Sequence, residues 1–195
     1  MTKNKDITNL KRQTDKKLKK SKKIVDYGWI VKLTITAFII SFCFSSLSEL
    51  IIPNVNLIIE ILIVIIFVAI GIIFDMIGMS VASANPVPFH SMSARKIKGA
   101  KLAIKMIKNS DKVSSFCNDV IGDICGIVSG SAGVIVSNSI AIKFGFNLFI
   151  TTLVCTAIIS ALTIGGKAIF KSYAINKSNI ILYRFSLFLN VFTKK

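Results

Sequence analysis

Residues 95–137 read RKIKGAKLAIKMIKNSDKVSSFCNDVIGDICGIVSGSAGVIVS, and this stretch decides how the chain folds. It begins as a lysine-studded amphipathic segment and passes without a break into an apolar helix of membrane length. That helix carries Asn118, Asp119 and Asp123. Ionisable groups inside a membrane span are costly, and those that persist usually face a cavity, a partner or an ion. One stretch therefore points to a membrane protein, an orientation and a candidate site.

The remainder of the chain has the same character. Of its 195 residues 53% are hydrophobic, and mean hydropathy is +0.69. Charged residues make up 17%, against roughly 25% in soluble domains. Four runs, at about 27–47, 57–82, 116–140 and 146–164, approach or exceed the roughly 20 apolar residues that cross a hydrocarbon core. The expected fold class is an all-α integral membrane protein with four transmembrane helices. A basic amphipathic juxtamembrane helix, about 93–109, is expected between the second and third. Its apolar face would be Ile97, Ala100, Ile104 and Ile107, lying on an anionic leaflet. Lys32 interrupts the first run near its start; it can snorkel to the interface beside Tyr27 and Trp29, which read as an aromatic belt.

The net charge of +16 resembles a nucleic-acid signal until its distribution is read. Ten basic residues precede Ile24, a second block runs from Arg95 to Lys112, and a third follows residue 164. The two remaining gaps hold only Lys143. The positive-inside rule then puts both termini in the cytoplasm of a multi-pass cell-membrane protein. Topology explains the charge, so nucleic acid is not an expected partner. Residues 1–26 are too basic and too long for a secretory signal. They read either as a polybasic cytoplasmic arm near anionic lipids or as a plain topogenic tail.

Catalytic signatures are missing. Cys43, Cys117, Cys125 and Cys155 fall inside expected spans, form no CxxC pair and read as small packing residues. His90 is the only histidine, which excludes a histidine-rich metal site. No GxSxG, HExxH, P-loop or GxGxxG pattern occurs, so the chain is not expected to be an enzyme.

In the third span Asp119 and Asp123 are four apart and share a helix face. Gly122, Gly126 and Gly130 continue as a ladder of small residues that admits another helix. Packing accounts for the glycines but not for Asp123, about two turns into the span. The second span adds Asp75, Ser80 and Ser83, ahead of Asn85-Pro86-Val87-Pro88. That segment is expected to break the helix and free carbonyls. Carboxylates, hydroxyls and carbonyls are the ligands of hard cations. Asp123, Asp119, Asp75, Ser80 and Ser83 are therefore the candidate metal-binding residues, with Mg²⁺ the candidate ion and no other cofactor. The alternative is an internal hydrogen-bond network.

From about Leu57 onward these residues resemble the transmembrane domain of the CorB/CorC-type (cyclin-M) magnesium and cobalt transporter family. The resemblance rests on Ser91-Met92-Ser93-Ala94-Arg95, on the segment from Lys98 through Ser115, and on Ile121-Gly122-Asp123. Gly166-Lys167-Ala168-Ile169-Phe170-Lys171 is similar to the family's Gly-Glu-x-x-Pro-Lys element. The resemblance covers roughly 120 residues and implies three of the four spans, with the first as an addition. It also implies divalent-cation transport or efflux, with the ion between spans two to four. This sequence departs from the pattern where the family has glutamates: Lys167 replaces one, and none stands near Ser83. Asp123 takes the place of the family's asparagine.

The expected organisation is therefore an arm at 1–26, a transmembrane domain at 27–174 and a cytoplasmic interfacial segment at 175–195. Beyond the lipid bilayer, the candidate partners are a second copy in a homodimer and a separate cytoplasmic regulatory subunit. The competing function is a non-transporting, membrane-embedded interaction or regulatory protein related to that family.

Overall fold

The computed structural model describes residues 27–51 and 55–192. The polybasic arm and Lys194 and Lys195 lie outside the described residues. Every regular element described is a helix. By its contacts the chain divides into two units, residues 1–36 and 37–195. Helix α1, Tyr27–Ile51, begins in the first and continues in the second. In the first unit Thr34 and Thr36 return their hydroxyls to the carbonyls of Ile30 and Lys32, at 3.0 and 2.8 Å. This satisfies two polar groups within a helix whose neighbours are apolar.

The second unit is organised around three long helices. Helix α2 runs Leu57–Ser83. A continuous 35-residue helix, Ser110–Phe144, follows later in the chain. It comprises α5 (Ser110–Ser115), a π-helical stretch (Phe116–Gly122) and α6 (Asp123–Phe144). Helix α7 runs Leu148–Asn176. With α1, these are four helices long and apolar enough to cross a membrane. Gly145, at φ +68°, ends α6 in the left-handed region that suits glycine. Asn147 then caps α7, its Oδ1 accepting from the N–H groups of Phe149 and Ile150. The result is a tight α6–α7 hairpin.

Polarity is distributed as a lipid environment requires. Large apolar side chains such as Ile58, Ile65, Ile142, Phe149 and Ile169 point outward. The fully buried positions include Ser80, Ser129 and Ser137, each donating to a carbonyl of its own helix. Small residues let the backbones approach where no hydrophobic drive acts between helices. Three glycines do this with specific neighbours. A Cβ on Gly71 of α2 would stand 3.1 Å from Cys125 Cβ and 3.4 Å from the Gly122 carbonyl. One on Gly133 would collide with Ile159 of α7, and one on Gly166 of α7 with Ile72 of α2.

At one end of this unit lies a separate layer of short helices: α3 (Pro86–Ala94), α4 (Ala100–Lys108) and α8 (Ser178–Phe192). Ile77, Val81, Phe89, Ala103, Met106 and Leu182 form its core, which joins the layer to α2. The sequence leads one to expect a single helix over about 93–109. Instead the chain breaks between Ala94 and Ala100, where Lys96 (φ +56°) and Gly99 (φ +82°) are both left-handed. The buried face is accordingly Ala100, Ala103 and Met106, with Ile104 and Ile107 at its edge and Ile97 exposed.

The prolines also act differently from expectation. Pro86 starts α3 at the first helical position, where a missing N–H costs nothing. Asn85 caps that helix through Val87 N–H at 3.0 Å, and its own N–H donates to Asn179 Oδ1 at 2.9 Å. Only Ala84 and Asn85 lie outside helix, so the break is a capped corner rather than an open cradle of carbonyls.

Candidate functional site: a lysine between two aspartates

Asp75 of α2, Asp123 at the start of α6 and Lys167 of α7 meet. Lys167 Nζ stands 3.4 Å from Asp123 Oδ1 and 3.9 Å from Asp75 Oδ1. The glycines explain how three helices converge tightly enough for this. Gly71 and Gly122 face each other across α2 and the π-helical stretch, and Gly166 lets α7 close on α2. Gly122 also lies beneath the ammonium, since a Cβ there would sit 3.7 Å from Lys167 Nζ. The sequence therefore spends its smallest residues at the level of its charges.

The three groups differ in exposure, and the difference matters. Asp75 and Lys167 side chains are 16% and 25% exposed, while Asp123 is 65% exposed. With both carboxylates ionised the cluster carries one excess negative charge. Its ammonium already occupies the position between the oxygens that a free cation would take. Two oxygens alone do not complete the six to eight ligands that calcium prefers, or the octahedron of magnesium, so water would have to supply the rest.

The other candidate residues stand apart. Asp119 is exposed on the π-helical stretch, and among the described residues no ion pair joins it to the cluster. Ser80 is fully buried and bonded to the Met76 carbonyl at 2.8 Å. Ser83 takes part through its carbonyl, which accepts from Ser178 Oγ of α8 at 3.4 Å. Among the described residues no three or more His, Cys, Asp or Glu side chains are grouped as a metal site. His90 is exposed on α3.

The π-helical stretch carries Asn118 as well. Its side chain lies against Gly78 of α2, and Asn118 Oδ1 is buried with no hydrogen-bond partner among the described residues. Stretches of this kind recur at functional sites, because the extra residue per turn redirects side chains. Here it lies immediately before Asp123. The glycine ladder, meanwhile, divides. Gly122 is packed, but among the described residues nothing approaches within 4 Å of a Cβ on Gly126 or Gly130.

Two members of the polar interior were missed at the sequence level. Lys167 appeared there only as a departure from a family pattern, not as a partner for Asp75 and Asp123. Glu60, in the first turn of α2, was passed over because it sits at the edge of an apolar run. It is 3% exposed and accepts from Ser139 Oγ of α6 at 3.0 Å through Oε1. Its Oε2 has no partner among the described residues. A charged residue at a span end with a serine at matching depth on another helix was the available signal. No protein-family model, no curated protein and no solved structure matches the chain.

Proposed function

We propose that this chain is a membrane-embedded divalent-cation transporter or efflux protein, with magnesium or cobalt as cargo. Its resident counter-ion is Lys167, and both termini are cytoplasmic. One observation carries the reading: an ammonium held between Asp75 and Asp123 at the convergence of three membrane-length helices. A charge cluster at that depth is expensive unless it serves a path. The resemblance to the CorB/CorC-type family supplies the cargo class. In this reading Lys167 is a tethered competitor, and a hydrated cation enters only as the ammonium swings away. The same exchange lets one helix, α7, report whether the site is loaded.

A second reading has its own support. The open lane at Gly126 and Gly130 suits a partner helix. The lysine would then neutralise a structural cluster in a non-transporting interaction protein, with a second copy or another membrane protein on that lane.

Thermal unfolding of the detergent-purified protein under a magnesium titration tests the first reading. A ligand that binds only the folded state must raise the melting temperature. Wild type should gain a shift at millimolar Mg²⁺, a generous range for such sites. Lys167→Met should gain a larger one at lower concentration, because its competitor is gone. Asp123→Asn should gain none. If Lys167→Met is destabilised and magnesium restores nothing, the cluster is a structural clamp and the second reading stands.

A further inference from the structure

The break between α3 and α4 creates a second charged feature that the aspartate cluster does not use. A cavity of about 340 Å³ is lined by Lys96, Ile97, Lys98, Gly99, Lys101 and Leu102, with Asn190 reaching in from α8. Ligand sites commonly begin at about 300 Å³. Its walls are held in place. Ile97 N–H donates to the Met92 carbonyl at 3.0 Å, and Ala100 N–H to the Ile97 carbonyl at 3.3 Å. Gly99 rests directly on α8, where a Cβ would meet Ser186 Oγ at 3.1 Å and Leu187 at 3.2 Å. Ser186 and Ala100 beneath it are fully buried.

The charge inside is one-sided. Among the described residues three lysines line the cavity and no carboxylate does. Among the described residues no ion pair neutralises Lys96, Lys98 or Lys101. Three like charges on one cavity wall favour the entry of an anion over a cation. The backbone adds donors. Gly99 provides no side-chain cap for α4, and Lys101 and Leu102 N–H groups have no backbone acceptor outside the helix. Asn190 contributes an amide. Ile97 and Leu102 make part of the wall apolar, which a free anion does not need but a lipid does.

Lys96 sharpens the point. A lysine at φ +56° stands in the left-handed region that side chains with a Cβ rarely adopt. Glycine would fit that backbone better, yet it would remove one of the three cavity charges. The layer also sits where the second and third membrane-length helices end, at headgroup depth for a chain of this topology.

We propose that this cavity binds the phosphate of an anionic phospholipid, with Lys96, Lys98 and Lys101 as its ligands and Ile97 and Leu102 against the proximal glycerol and acyl carbons. Phosphate chemistry alone does not distinguish a lipid from inorganic phosphate, so the test carries both. Purified full-length protein in detergent is titrated with dioctanoyl phosphatidate, dioctanoyl phosphatidylcholine and inorganic phosphate, with binding followed by native mass spectrometry. Wild type should retain phosphatidate at least about tenfold more tightly than either other probe. Lys98→Gln/Lys101→Gln should weaken that binding about tenfold or more, since each lysine near an anionic headgroup contributes on the order of 1 kcal/mol. Lys105→Gln/Lys108→Gln removes the same charge outside the cavity and should change it less than about threefold. All four positions are exposed, so circular dichroism should show unchanged folding. Equal weakening by both double variants would mean a diffuse basic face and overturn the site. Inorganic phosphate binding as tightly as phosphatidate would overturn the lipid, and no binding by wild type would overturn both.

Discussion

At the scale of single residues, the glycines separate into packed and open ones. A Cβ on Gly71 meets Cys125 Cβ and the Gly122 carbonyl, neither of which can rotate away. Gly71→Ala should therefore spread α2 from α6 and destabilise by about 1–3 kcal/mol, the usual cost of overpacking. Gly126→Ala meets nothing. It should leave stability unchanged or raise it by up to about 1 kcal/mol through helix propensity. Thermal melts of the two variants side by side check this, and equal destabilisation would show that the open lane is filled in the assembled protein. Because Gly71 also sets the spacing between the helices that carry Asp75 and Asp123, its alanine variant should blunt any magnesium-dependent shift as well. The sequence showed all these glycines alike. Spacing alone cannot say which of them has a neighbour.

At the scale of elements, the short-helix layer depends on one aromatic. Phe89 of α3 is 1% exposed and packs with Val81, Ala103 and Leu182 from three other helices. Replacing a buried phenylalanine by alanine typically costs about 3–5 kcal/mol. Phe89→Ala should loosen α3, α4 and α8 while α6, with a face buried from Ile124 to Ala141, keeps its protection. Hydrogen exchange resolved by mass spectrometry reads this directly. Uniform loss of protection across α6 and α7 would show that the layer and the long helices unfold as one unit. The corner at Asn85 shows why boundaries here were hard to read. Proline stops a helix from within but starts one at its first position, and only the cap to Val87 and the bond from Asn179 distinguish the cases.

At the scale of the whole molecule, the dominant fact is the outward-facing apolar surface on four long helices. Such an expanse is far larger than a soluble monomer exposes. The proposed orientation rests on charge: Lys101 lies in the short-helix layer, while Lys143 stands near the α6–α7 turn at the opposite end of the 35-residue helix. Single cysteines at the two positions, in a chain with its native cysteines replaced, should label from opposite sides of the membrane. Lys101 should be reached only from the cytoplasm. Labelling of both from one side would remove the four-span topology, and with it the placement of the lysine cavity beside an inner leaflet.

Number and approximate position of the long helices were written in the sequence, because hydropathy acts locally and a span needs only enough consecutive apolar residues. The charge pattern was equally legible, since it depends only on the order of residues along the chain. What the tertiary structure alone decided was pairing across helices. Lys167 lies 44 residues beyond Asp123, and no periodicity links them. Glu60 finds Ser139 at a separation of 79. Those meetings depend on how closely three backbones approach. That in turn depends on which glycines face one another, a property of rotation about each helix axis that a linear pattern does not contain.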